Sequence, residues 1–219
     1  MGAARPRRGA AATAVARFLD ALLPAEARRD RDLSGTPRRV AEAFENDLLD
    51  GYGCDPARLL AGAMPQAGHD LVAVTGIDFH SVCPHHLLPY RGVATVAYVP
   101  GGRVVGFGVL ARLVDCFAHR LIIEEALARR VAESLVEHLD ARGASCILDA
   151  EQLCMTVRGE TRRASRAHAE AFAGVMESDR ALQRRVLHLA RAGAPDPGRA
   201  AARRGAAGKR AGAGRRRRA

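Results

Sequence analysis

Two periods alternate along the apolar positions of this chain. Between Ala11 and Arg29, Val15, Phe18, Leu19, Leu22 and Leu23 recur three and four residues apart, which predicts an amphipathic helix disturbed in its later part by Pro24. Ser34-Gly35-Thr36-Pro37 reads as a turn, an N-cap and a first-turn proline, opening a helix with Val40, Ala43, Phe44 and Leu48 on one face and Gly51 and Gly53 at its end. Alternation then takes over in Leu71–Phe79, Gly92–Val99 and Arg103–Phe107. These predict antiparallel strands, the last two joined as a hairpin through Pro100-Gly101-Gly102. After a short helix near Leu110–His119, Ile123, Leu127, Val131, Leu135 and Leu139 repeat every four residues, flanked by Ala126, Ser134 and His138, with Gly143 as the stop. Ala144–Ala150 and Cys154–Val157 read as strands, and Leu182, Val186 and Leu189 as a closing helix. With no internal repeat, the pattern predicts an α+β domain: helices first, then an antiparallel sheet with a long helix between its halves.

Composition narrows the class. The 219 residues are 48% hydrophobic and 26% charged, near the globular average, which excludes global disorder. No apolar run approaches the roughly 18 to 20 residues needed to cross a bilayer, and the Arg-rich start (Arg5, Arg7, Arg8) leads into an amphipathic stretch rather than a signal-peptide core. A soluble cytoplasmic protein without membrane attachment is expected. The net charge of +10 is concentrated at one end: residues 191–219 hold ten basic side chains against Asp196, leaving 24 basic and 23 acidic ones in residues 1–190. That segment of Ala, Gly and Arg lacks large apolar residues and reads as a disordered, solvated tail, expected to touch nucleic acid at most weakly through charge. The chain thus divides into an N-terminal helical extension (1–35), a main domain (36–190) and the tail (191–219).

Candidate chemistry centres on Ser81-Val82-Cys83-Pro84-His85-His86. Five cysteines, Cys54, Cys83, Cys116, Cys146 and Cys154, form an odd, irregularly spaced set that suits reduced thiols better than disulfides. Cys83 and His86 have a chelate spacing, and Cys154 would supply a third ligand, giving a Cys2His set with an open position, as in catalytic sites. Neighbouring side chains diverge by about 100° in a helix and 180° in a strand, so His85 would stand beside such an ion, free to move protons. The same residues also fit a solvated histidine pair with two buried thiols, and the short pattern leaves both readings open.

A resemblance weights the choice. TPRRVA from Thr36, SVCPHHLLPYRG from Ser81, VAYVP from Val96, VVGFGVLAR from Val104, RLIIEE from Arg120 and QLCMTVRG from Gln152 stand in the order of the corresponding motifs of GTP cyclohydrolase I, and the chain resembles that family over Thr36 to Gly159. The resemblance implies a tunnelling-type fold, a small antiparallel sheet with helices packed on one face. Its subunits are expected to form a ring-shaped homo-oligomer, a decamer with active sites between subunits. It also implies Zn2+ on Cys83, His86 and Cys154, His85 as the catalytic histidine, Glu125 as the guanine-recognising carboxylate, and Arg39, Arg112 and Arg158 on the triphosphate. Carboxylates and guanidinium forks suit those partners. The implied reaction is hydrolysis at C8 of the guanine ring of GTP, with formate loss, towards dihydroneopterin triphosphate, a step of pterin and folate biosynthesis.

Departures fall inside the motifs. Pro84 replaces a glutamate, Gln152 a histidine expected to assist proton transfer, Gly108 and Val109 a serine and a lysine, and Glu124 a glutamine. These changes predict a weaker grip on phosphate and one lost proton carrier at Gln152, which is still expected among the substrate-binding residues. Beyond Gly159, Arg162, Arg163 and Arg166, with Ser165, either re-supply charge to phosphate or decorate a loop. Two alternatives to the full reaction follow: ring opening that stops at a formamide or acts on a less phosphorylated guanine compound, and a non-catalytic, zinc-stabilised ring subunit.

Overall fold

The computed structural model describes residues 8–158, 162 and 164–193. Of the predicted tail (191–219), residues 194 onward, together with Arg5, Arg7 and Arg163, lie outside the described residues, whereas 191–193 are helical rather than disordered. Helix α1 (Arg8–Leu22) stops two residues before Pro24, and the chain continues through 3-10 turns at Ala27–Arg29 and Arg31–Leu33. Helix α2 (Thr36–Ala43) packs on α1 and runs into a π-turn at Phe44–Leu48. Its N-cap is Gly35 rather than Thr36. A left-handed residue (φ 76) is needed to turn the chain into the helix, and glycine adopts that conformation at little cost.

After α3 (Pro56–Leu60) come β1 (Met64–Pro65), β2 (Val72–Val82), β3 (Pro89–Val99) and β4 (Arg103–Val104). Then follow α4 (Phe107–Ala118), α5 (Glu124–Leu139), β5 (Gly143–Gln152), α6 (Leu153–Thr156), β6 (Ala167–Gly174) and α7 (Arg180–Gly193). The main sheet is antiparallel throughout, in the order β2-β3-β5-β6.

The hairpin expected between Gly92–Val99 and Arg103–Phe107 does not form. Both edges of β3 are taken, by β2 and β5, so Arg103–Val104 pairs instead with β1, and Phe107 already begins α4. The turn between them presses on the end of α5, where a Cβ on Gly101 would collide with the Asp140 carbonyl. Gly143 is not the stop of α5 either. Asp140 ends the helix at φ 57, and Gly143 opens β5. Cys154–Val157, expected as a strand, forms the single helical turn α6 and its exit.

Alternation along β3 sends its side chains into two cores. Ala94, Val96 and Tyr98, with Cys146 and Leu148 of β5, pack under α4 and α5. The predicted stripe of α5 supplies Leu127, Val131, Leu135 and Leu139, all fully buried, each worth about 1.5 to 3 kcal/mol of apolar transfer. The intervening residues Ala97, Val99 and Ile147 meet Met176 and Val186 of α7 on the opposite face. Helices α4 and α5 thus cover one face, and the closing helix α7 crosses the other. Among the described residues no helix is long and apolar enough to cross a membrane.

Candidate metal centre and active site

The site grows from one end of the sheet. β2 finishes opposite Pro89, and the chain reverses through Cys83–Leu88, closed by Leu87 N–H to the Cys83 carbonyl and Cys83 N–H to the Leu88 carbonyl, both at 2.9 Å. Leu87 takes φ 53, a conformation few residues other than glycine adopt. This turn leaves Cys83 buried and both histidines exposed. Cys83 Sγ lies 3.8 Å from Nδ1 of His86 and 3.9 Å from Nδ1 of His85.

Tyr90 pairs with Ser81 on one side and Gln152 on the other, so a single cross-strand row sets β2 and β5 level. Two residues past Gln152, α6 turns Cys154 towards Cys83. The ligand atoms of Cys83, His86 and Cys154 all lie within 4.8 Å of one another. Donors bound to one ion at about 2.0 to 2.3 Å stand less than about 4.6 Å apart, so small side-chain shifts suffice to close the set, and two sulfurs with an imidazole favour a soft ion. The three residues form a metal-binding group. Burial and the adjacent Cys83 thiol push the Cys154 thiol up, while Arg158 pulls it down, which puts Arg158 within electrostatic reach.

The start of α5 is fastened to the same place. Ser81 Oγ donates to the Arg120 carbonyl (3.4 Å), Ile122 N–H to the Val82 carbonyl (3.3 Å), and the buried Tyr90 hydroxyl to the Ile122 carbonyl (3.1 Å). Two residues on, Glu124 is only 4% exposed and accepts a 2.6 Å hydrogen bond at Oε2 from Nε2 of Gln152. Its Oε1 is buried without a partner among the described residues. Burial raises the Glu124 carboxyl above its ordinary range, and Glu125 and Asp149 add to this; the Gln152 bond and His168 oppose it. Glu125 is exposed beside it.

The predicted arginines divide. Arg39, on α2, binds the Ser34 and Asp32 carbonyls of the preceding loop and Thr36 Oγ1 at the start of its own helix. Arg112 lies exposed on α4. Arg166, one candidate for re-supplying phosphate charge, is paired with the Asp149 carboxylate and also donates to its carbonyl. Tyr90 was not singled out from sequence, because its part in the site depends on a strand register that the motif does not reveal.

Residues 11–191 match the family model of GTP cyclohydrolase I. The chain belongs to the GTP cyclohydrolase I family. It is 44% identical over 153 residues to a GTP cyclohydrolase 1 of Chromobacterium violaceum, covering 69% of this chain and 74% of that protein. Identity to GTP cyclohydrolase 1 of Ralstonia nicotianae is 46% over 145 residues, covering 66% of this chain and 69% of that protein. To GTP cyclohydrolase 1 of Bacillus subtilis it is 38% over 161 residues, covering 73% and 84%. The GTP cyclohydrolase I match takes in most of α1 and ends within α7.

Proposed function

We propose that the protein is a zinc-dependent hydrolase that opens the imidazole ring of GTP at C8 and releases formate towards dihydroneopterin triphosphate. The convergence of Cys83, His86 and Cys154 carries this reading. Those three residues would hold Zn2+, which when bound supplies Lewis acidity and acidifies water near neutral pH. His85, beside Cys83 but outside the ligand set, is the group suited to exchange protons with the opening ring. Glu125, exposed at the head of α5, is suited to accept from the guanine N1–H and exocyclic amine. Arg112 and Arg158 supply positive charge for phosphate, and Arg39 would have to exchange its loop carbonyls for phosphate oxygens.

A homo-oligomer, decameric by the family resemblance, completes this reading. Leu87, Leu121, Ile123, Met155 and Val157, all exposed, flank the metal-binding group and the head of α5 in sequence, an apolar rim suited to a neighbouring subunit. The test incubates zinc-loaded protein with GTP, GDP, GMP and guanosine, following formate and pterin fluorescence separately. Formate and fluorescence from GTP support the full reaction. Formate without fluorescence, or fluorescence only from a less phosphorylated substrate, favours the truncated alternative prompted by Gln152 and Val109. Neither product on any substrate favours a non-catalytic subunit.

A further inference from the structure

The hydrogen bond between Gln152 and Glu124 fixes more than a distance. A carboxylate only accepts, so the short bond at Oε2 requires the NH2 end of the Gln152 amide to face Glu124. The amide carbonyl must then face the other way. Gln152 is the N-cap residue of α6, yet its side chain does not cap that helix, and among the described residues its side chain makes no other hydrogen bond. It is half-buried, next to the turn that presents Cys154. Glu124, by contrast, is locked. It is buried at the head of α5, and that helix start is tied to β2 and β3 through Val82 and the Tyr90 hydroxyl. A buried oxygen without a partner, Oε1, costs stability. Retaining it is understandable if the other oxygen has a task.

We propose that Glu124 is a positioning residue that holds the Gln152 amide in one orientation, so that Gln152 Oε1 stands beside the metal-binding group as a fixed acceptor specifying a substrate with an N–H or O–H donor at that point. This rests on the proposed guanine-nucleotide reading for the identity of the substrate, but not for the lock itself. An imidazole at position 152 could present either a donor or an acceptor. The pinned amide presents an acceptor alone. Selectivity at this point is therefore for a donor-bearing group, such as a ring N–H or ribose hydroxyl, over an isostere that bears only an acceptor.

The experiment has two arms. Glutamine labelled with nitrogen-15 marks Gln66, Gln152 and Gln183 in the native protein and a fourth glutamine in Glu124→Gln, and magic-angle-spinning spectra of the full-length protein report the Gln152 side-chain amide without any substrate. A downfield, slowly exchanging amide proton is expected in the native protein and in Glu124→Gln, whose carboxamide oxygen can still accept. It is expected to be lost in Glu124→Leu. The second arm measures GTP affinity of the metal-free protein and KM for formate release in Glu124→Leu, Gln152→Leu and the double variant. Each single change is expected to weaken GTP by about 10-fold, the double by no more than either, and Glu124→Gln to recover most of the affinity. An unlocked amide in the native protein, or fully additive losses, overturns the proposal. A locked amide in a protein that neither binds nor turns over GTP leaves the positioning intact and overturns the GTP reading instead.

Discussion

Cys83 and Cys154 each stand two residues beyond a member of the same cross-strand row, Ser81 and Gln152, with Tyr90 between them. The two thiols stand 71 residues apart along the chain, and strand register brings them level. The hairpin turn at Cys83–Leu88 and the helical turn α6 then carry them to one side, where His86 joins. A slip of one residue in the β3–β5 pairing would send the side chains of β5 to the opposite faces and separate the thiols.

Removing either sulfur should therefore abolish metal binding while leaving the core intact. Cys83→Ala and Cys154→Ala are each expected to lose stoichiometric zinc in metal analysis and to lower formate release more than about 100-fold, since even outer partners of metal ligands are worth 10 to 100-fold. Unfolding free energies of the two metal-free variants should match that of the metal-free native protein to within about 1 to 2 kcal/mol. Full zinc occupancy in either variant would refute the ligand assignment.

Tyr90→Phe deletes the hydroxyl that donates to the Ile122 carbonyl. The carbonyl is left without that donor in a buried setting, which should cost about 1 to 3 kcal/mol in urea unfolding. Because this bond fastens the head of α5 to the sheet, KM for GTP should rise as Glu124 and Glu125 loosen. Zinc content should hold, since no ligand is touched.

How much of this was legible beforehand depended on the range of the interactions involved. The four-residue stripe of α5 is local, and its buried face is the one the periodicity marks from Leu127 to Leu139; Ile123, the first member of the predicted stripe, is instead the exposed N-cap residue. The metal-binding group was legible through the family resemblance: the Cys83 and His86 spacing alone left two readings open, and the motif around Cys154 supplied the third member that the structure brings beside them. The missed hairpin at Pro100-Gly101-Gly102 has a non-local cause: turn chemistry was present, but β5, far along the chain, occupied the edge of β3. Strand β6 went unread because Ala167–Gly174 is rich in Ala, with His and Glu, and has little β propensity of its own. Its place comes from pairing with β5 and packing on α5. The helical turn at Cys154 likewise contradicts the alternation that suggested a strand.

Asp140 invites a stabilising change. It closes α5 at φ 57, where a side chain with a Cβ is disfavoured and glycine is not. Its ion pair with Arg103, 3.3 Å and largely exposed on the Asp side, offsets little. Asp140→Gly is expected to raise stability by up to about 1 kcal/mol in denaturant unfolding, with kcat unchanged, as the residue lies at the far end of α5 from the metal-binding group.

The Glu124 carboxyl ties stability to pH with a definite sign. Burial, reinforced by Glu125 and Asp149, raises its folded-state pKa above the ordinary value of 4.5. Below that value the carboxyl is protonated in both folded and unfolded chains and contributes no difference. As pH rises past it, the unfolded chain ionises first while the folded chain still holds its proton, so the native state loses relative stability until the folded carboxyl ionises too. Each unit of displacement corresponds to about 1.4 kcal/mol. Glu124→Gln removes the ionisation while keeping an acceptor for Gln152 Nε2. Its unfolding free energy should match the native protein's below about pH 4, exceed it as pH rises past the ordinary carboxyl value, and level off once the folded carboxyl ionises. A constant difference across that range, or one that shrinks as pH rises, would show that the buried carboxylate is compensated by contacts other than the Gln152 bond.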